Sequence, residues 1–404
     1  MTTQLHAAID EPTVRAISES LDEPAWLLET RLEALDALES LDMPNVIRTP
    51  GRTWTNLTDL DFEAMIEPET AQEEKDQVGP DDIEVYSYAD AVRERPELLE
   101  EYFGSVIDPH ENFLTALSTA LFTTGTVVFV PDGVAAQDVT IRTRMQSRSL
   151  FNYTLVVTGE SAEVTILERQ SSAGAVEGSR YYSGIVEIAP GENANVEYGS
   201  LQQLDQATYN YTLKRSRNRP YARTTFIDGN LGSRLTKTEV GVELEGDASE
   251  AKIIGAFFGT DDQHFDLDSK VWHRGAHTNA DLVMRGVVDD VARAVYEGVQ
   301  DVGRDAWDTN SYQRENTLML SDTAEADASP KLIINNHDTE ASHSATVGQV
   351  DAEDLFYMTS RGMSDRTARN MLVEGFFVPI LEEITVDEFR DDLNARIAER
   401  LWAN

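Results

Sequence analysis

Between Val127 and Asn335 the chain carries almost no helical periodicity and consists of short β segments broken by Gly, Asn or Asp. An alternating βα architecture does not fit, because each of its crossovers needs a helix. Four segments share a pattern: Gly159-ESAEVTI, Gly191-ENANVEY, Gly246-DASEAKI and Gly275-AHTNADL each set small or apolar residues three, five and seven places after the glycine. That pattern is a turn entering a strand with one face inward. The glycines lie 32, 55 and 29 residues apart, too irregular for propeller blades but suited to a solenoid whose coils vary in length. A sandwich is the alternative; stacked coils better account for repeated turn–strand units with few hairpin signals. Val271, His273, Leu282, Met284, Val295 and Val299 are further expected strand positions.

Helices are expected on either side. Residues 11–41 read as two, the second with Asp22 as N-cap, Pro24 in its first turn, and Leu28, Leu32 and Leu35 at helical spacing. Trp54, Leu57 and Leu60 follow in a less regular stretch. Pro68 to Asp82 is crowded with Glu, Asp, Gln and Pro and reads as a linker or exposed loop. Helical signals return from Ala89 to Phe122, and the period switches at Thr124, where TGTVVFV runs into the turn Pro131-Asp132-Gly133. Toward the C-terminus, Gly362 suits the C′ position of one helix and Ser364 caps the next, which carries Ala368, Met371, Leu372 and Phe376 on one side and a Pro379 able to kink it. The last helix sets Phe389, Leu393, Ile397 and Leu401 at successive i+4 steps. The expected organisation is an N-terminal helical domain over 1–123 with an acidic linker near 68–82, a β core over 124–348, and a C-terminal helical domain over 349–404.

The formal net charge is -40, spread over every region, and only six lysines occur. A nucleic-acid partner is not expected, since no basic footprint is visible. Self-repulsion on this scale suits an adaptation to molar salt, where the Debye length falls to roughly 3 Å. There is no cysteine, which removes disulfides, zinc–thiolate sites and a thiolate nucleophile from consideration. The opening MTTQLHAAIDEP lacks the basic and apolar regions of a signal peptide, and no run approaches the roughly 18 apolar residues of a membrane span. A soluble cytoplasmic protein without a membrane partner is expected. G-x-x-x-x-G-K-[ST] is absent, so any ATP hydrolysis tied to its work falls to another polypeptide.

Five of the seven histidines fall between residues 264 and 343. His273 and His277, with Asp266 or Asp268, are one conceivable metal set, but a gap of four suits a helix better than a strand, and hydrogen-bonded or solvated imidazoles are the simpler reading. His343, between Ser342 and Ser344, stands with His337, Asp338 and Glu340 where the β pattern hands over to a helix, and neutral imidazole ligates iron and other borderline metals. Paired carboxylates on a solenoid groove, as in glycan-cleaving enzymes, form another alternative; the acidic residues are too abundant for any pair to stand out.

From Asp266 to Phe377 the chain resembles the core of the SufB/SufD iron–sulfur cluster assembly family. The resemblance rests on FDLDSKVWH ending at His273, on Met284-Arg285-Gly286-Val287, on YEGVQDV, and on LMLSDTAEADASPKLII. It continues in the block SHxATVGxxDxxxLFYxxSRG from Ser342 to Gly362, and in ARxxLVxGF from Ala368 to Phe376. Lacking cysteine, the chain is similar to the SufD type. Ser344 stands where the family usually has glycine, and Ala341 where some relatives have cysteine. The resemblance implies a right-handed parallel β-helix flanked by N- and C-terminal helical domains, and a non-catalytic scaffold in a complex with SufB and two copies of the SufC ATPase. It implies that His343 is a ligand of a nascent iron–sulfur cluster shared with SufB. It also implies that SufC docks on the C-terminal helices, for which Phe356, Arg361, Leu372 and Phe376 are the candidates. Reduced flavin associates with such complexes, though no flavin site is marked here; the isolated chain is expected to hold no cofactor and to form a homodimer. A purely structural partner of SufB, with no cluster ligand, is the rival.

Overall fold

A computed structural model describes residues 9–402 except 45, 50–51, 58–59, 68–72 and 175. The MTTQLHAA stretch, part of the acidic segment at 68–72 and the side chain of Trp54 lie outside the described residues. The helices are α1 (Glu11–Ser20), α2 (Ala25–Ala37), α3 (Phe62–Met65), α4 (Tyr88–Glu94), α5 (Pro96–Tyr102), α6 (Phe113–Leu121), α7 (Ala352–Thr359), α8 (Asp365–Glu383) and α9 (Asp387–Trp402). β1 (Val46–Thr49) and β2 (Arg52–Thr55) pair antiparallel, and β3 (Glu73–Val78) and β4 (Glu84–Ser87) follow. Then come β5 (Thr124–Val130), β6 (Ala135–Met145), β7 (Ser149–Thr158), β8 (Glu163–Ser172), β9 (Arg180–Ala189), β10 (Asn195–Gln203), β11 (Thr208–Asn218) and β12 (Arg223–Asn230). The series closes with β13 (Leu235–Leu244), β14 (Glu250–Gly259), β15 (His264–His273), β16 (Asn279–Val288), β17 (Arg293–Val302), β18 (Thr309–Met319), β19 (Glu325–Ile334) and β20 (Thr339–Gln349).

Even-numbered strands β6 to β20 stack in one sheet and odd-numbered strands β5 to β19 in another, each strand parallel to its neighbours. Two strands make one coil, so this is the expected parallel β-solenoid with helices at both chain ends. Register is kept from coil to coil. One inward column runs Val139, Ile166, Tyr198, Phe226, Ile253, Leu282, all buried. Buried charges are held in sets: inside the coils Lys214 donates to Asp228 at 2.5 Å, and on the outer face of the odd-numbered sheet Lys237 donates to Asp266 at 3.1 Å and Asp268 at 2.6 Å. Such pairing is what makes buried charge tolerable.

The turn pattern has a specific cause. Ser161, Asn193, Tyr221, Ala248 and His277, each beginning a new coil, have left-handed φ of 56° to 60°. The N–H of each donates to a carbonyl in the next turn: Ser161 to Glu192, Asn193 to Pro220, Tyr221 to Asp247, Ala248 to Ala276, His277 to Trp307. The glycines two residues earlier are required by crowding. A Cβ on Gly191 would lie 2.4 Å from the Gly159 carbonyl oxygen, and one on Gly246 would lie 2.0 Å from the Pro220 nitrogen. The 55-residue gap between glycines therefore spans two coils, with Pro220-Tyr221 forming the intervening turn.

The helices cover opposite faces. α1, α2, α4, α5 and α6 pack over the outer side of β5, β7, β9 and β11, burying Tyr153, Leu155, Ile185 and Leu213. α8 and α9 pack over the outer side of the other sheet, on Leu167, Leu201, Ile227 and Ile254. Leu393 of α9 sits 3.1 Å from where a Cβ on Gly229 would stand, and Arg169 holds Asp392 at 2.8 Å and Glu388 at 2.7 Å. The stripe Phe389, Leu393, Ile397, Leu401 is thus spent within the chain. No helix of the described residues is long and apolar enough to cross a membrane.

Three local expectations change. Asp22 does not cap α2: with φ of 53° it ends α1, the Glu23 N–H reaching the Ser18 carbonyl and the Asp22 N–H the Glu19 carbonyl, a Schellman closure. Residues 73–78, within the stretch read as a linker, form β3, antiparallel to β6. β4 likewise pairs antiparallel with β5, so at this end both sheets finish in an antiparallel strand that pairs the first ladder of the parallel stack. Met371 faces out, while Ala368, Val373, Phe377, Ile380 and Leu381 carry the buried side of α8. Gly362 does stand at a Schellman C′ position, φ 94°, and Ser364 caps α8 through the Thr367 N–H. α8 continues past Pro379 to Glu383.

Candidate functional site

The other end of the solenoid is not closed. β19 and β20 are the last strands of their sheets, and among the described residues none stacks beyond them. Their outer edges leave backbone groups unpaired, and Ile333 (46%), Ile334 (45%) and Val347 (38%) stand exposed there.

His343 lies on β20, directly beside Gln313 of β18. Gln313 in turn pairs with Leu282, which places His343 in the inward column described above. Inward-facing and yet exposed, the imidazole has the orientation of a core residue at a level where no further coil covers it. The neighbouring inward column reads Met284, Glu315, Ala345. Glu315 is 1% exposed; its Oε1 accepts from the Thr317 hydroxyl at 2.5 Å, and its Oε2 has no hydrogen-bond partner. Burial pushes this carboxyl up to about 7, against the pull of the Thr317 hydroxyl and the nearby Thr346 N–H. Both amide atoms of Gln313 are also buried without partners. On the outside of the same sheet a groove of about 730 Å³ runs past His343, lined by Arg223, Lys252, Asp281, Tyr312, Arg314 and Ser344.

The remaining histidines do other work. His273 is buried, with ring nitrogens 2.8 Å from the Thr278 hydroxyl and 3.1 Å from that of Ser311. Burial, helped by the Arg274 charge, takes it down to about 4. His277 is in the turn, 2.8 Å from Asp308, so the two share no face, and Asp266 and Asp268 grip Lys237. His264, likewise lowered to about 4 by burial, meets the Thr55 hydroxyl at 3.0 Å. His337 stands edge-on to Trp307. Asp338 accepts the Asp308 N–H and so belongs to a turn, and Glu340 is exposed on β20. Among the described residues no group of three or more His, Asp or Glu side chains is placed to hold a metal ion.

The four residues expected on the C-terminal helices divide. Phe356 is 72% exposed, and the Arg361 guanidinium lies 3.6 Å over the Tyr357 ring, itself exposed. Leu372 and Phe376 are half-buried; Arg285 donates to the Phe376 carbonyl at 2.6 Å and stacks over its ring. Gln313 and Glu315 were not singled out from sequence. The available signal was in TNSYQRENTLM, whose inward positions Thr309, Ser311, Gln313, Glu315 and Thr317 are all polar where the two strands before it in that sheet turn Ile253, Phe257, Leu282 and Met284 inward.

Comparison with known proteins gives a consistent result. Residues 141–376 match the family model described as SUF system FeS cluster assembly, SufBD core domain, and residues 62–141 match the SufBD protein N-terminal region. The chain is 28% identical to the iron-sulfur cluster assembly protein SufD of Bacillus subtilis, over 99% of this chain and all of that protein. It is 26% identical to an iron-sulfur cluster assembly SufBD family protein of Staphylococcus epidermidis, over 96% of this chain and 92% of the relative. A Staphylococcus aureus member of the same description is also 26% identical.

Proposed function

The chain belongs to the SufBD family of the SUF iron–sulfur cluster assembly system, and from that membership and its uncovered last coil we propose that it is a SufD-like scaffold subunit. Membership and the likeness to SufD support a role in cluster assembly. The observation that carries the finer reading is the position of His343, inward by register yet open at the end of the solenoid. A SufB subunit seated on β19 and β20 covers the bare ladders and encloses the imidazole. His343 then supplies a neutral nitrogen donor to iron and sulfide assembled as cargo, while the thiolates come from SufB, since this chain has none.

The SufC ATPase docks on the C-terminal helices, where the exposed Phe356 and Tyr357 and the Arg361 beside them form the accessible part of the expected surface. Leu372 and Phe376 contribute from behind, being partly used in internal packing. SufC closure on ATP pulls on α7 to α9 and rearranges the SufB contact, giving iron and sulfide access to His343. The subunit has no turnover of its own.

A purely structural role for His343 is the second reading, favoured by the lack of a three-ligand cluster among the described residues. His343→Ala, reconstituted with SufB, SufC, ferrous iron and a sulfide source, separates the two. The ligand role requires a fall of tenfold or more in cluster yield with the complex still assembling; an undiminished yield leaves only the structural role. A glycan-acting role has no support in the groove, where Glu250 and Asp281 are ion-paired with Arg223 and Arg314 at 2.8 Å each.

A further inference from the structure

Glu315 is a buried carboxylate that meets no counter-charge among the described residues. Its register neighbour on the last strand is Ala345, two residues from His343 and on the same inward face. Only a methyl group therefore stands between Glu315 and the open end. Diagonal positions on adjacent strands are about 7–8 Å apart, within reach of an imidazole and a glutamate side chain once the carboxylate, here turned to Thr317, swings toward His343. In the same inward column as Glu315, Asp228 meets Lys214, and Glu168 accepts from the Tyr198 hydroxyl at 2.9 Å and feels the Lys75 charge. Glu315 has the Thr317 hydroxyl on one oxygen and the Thr346 N–H nearby, and among the described residues no hydrogen bond to its other oxygen. Buried polar atoms are usually partnered, and this unpartnered oxygen lies in the last covered coil.

We propose that Glu315 is a second iron-binding residue of this chain, its carboxylate joining His343 in a half-built site for ferrous iron whose other donors come from the partner subunit. The inference rests on the reading of His343 given above. An imidazole and a carboxylate suit a borderline divalent cation, and two protein donors leave most of the coordination shell open to the partner and to sulfide. Ferrous iron also supplies the missing positive charge, which accounts for a carboxyl that burial otherwise drives toward its neutral form. Any proton the carboxyl carries leaves to solvent through the open end on binding; no redox step is involved.

The test uses the complex with SufB and SufC under anaerobic conditions, with ferrous iron alone and no sulfide source, and measures iron affinity and retained iron per complex. Glu315→Gln is expected to weaken binding at least tenfold while complex yield and thermal midpoint stay at wild-type values. Glu315→Asp is expected to recover part of the loss. Glu315→Ala covers the case in which the glutamine amide disturbs folding, and wild-type affinity in either folded variant, Gln or Ala, overturns the proposal. His343→Ala run beside them keeps the two readings apart. Weak binding in His343→Ala with wild-type binding in Glu315→Gln sinks only this inference. The reverse pattern removes the imidazole and with it the joint site.

Discussion

The ring of Phe389 occupies the space that a side chain at Gly199 would need, 2.9 Å from an ideal Cβ there. Gly199 lies on the outer face of β10 between Leu167 and Ile227 of the adjoining strands, so the missing side chain makes a socket in an otherwise apolar surface. α9 is anchored at this socket and, one strand on, at Gly229.

Phe389→Ala is expected to cost about 3–5 kcal/mol of unfolding free energy, since it leaves a cavity under a helix that has no other deep anchor at that level. Gly199→Leu should be comparably damaging from the opposite side, by displacing the ring. Urea unfolding followed by tryptophan fluorescence reads both. A loss below about 1 kcal/mol in Phe389→Ala would mean that α9 is held by its ion pairs with Arg169 and not by the socket.

The partly buried His264 and the buried His273 give the protein an acid limit. His264 and His273 titrate at about 4 when folded and near 6.5 when unfolded, so the unfolded chain binds more protons in between. Their contribution is complete above pH 6.5 and declines as pH falls toward 4, by about 3 kcal/mol for each at most. His273→Gln, which retains hydrogen-bonding capacity toward Thr278 and Ser311, should therefore flatten the loss of stability between pH 6.5 and 4 relative to the parent. Parallel stability curves for the two proteins over that range would show that His273 is not the group responsible.

Salt should stabilise. With a formal net charge of -40, repulsion among carboxylates opposes the compact state in dilute buffer and is screened as the Debye length shortens to roughly 3 Å near 1 M. The thermal midpoint is expected to climb steadily as KCl is raised from dilute buffer to the molar range. A maximum in dilute buffer would refute an adaptation to high salt.

Much of this architecture was legible because the solenoid repeats a local event. Gly159, Gly191, Gly246 and Gly275 mark turns whose backbone crowding tolerates nothing larger, and the alternation after each shows which face is inward. The last helix was legible for a similar reason, since its period is short enough to read within one segment. What escaped depends on partners distant in sequence. Glu73 to Val78 looks like a linker because its acidic residues carry no apolar alternation, and only its pairing with β6 makes it a strand. The inward direction of His343 follows from register with Gln313, thirty residues earlier, and the isolation of Glu315 from the lack of a cation in the coils around it. Neither is a property of the local sequence.

The two ends of the coil stack differ in the direction of their edge strands. A solenoid with both ladders bare at both ends could add copies head to tail without limit, as heterologous contacts do when they fail to close. Here β3 and β4 run against the direction of the stack and terminate it. One end presents the parallel edges β19 and β20 and the other the antiparallel edges β3 and β4, so the two are not interchangeable. The coil stack thus carries a polarity, and a mate that continues its parallel ladders meets them at one end alone.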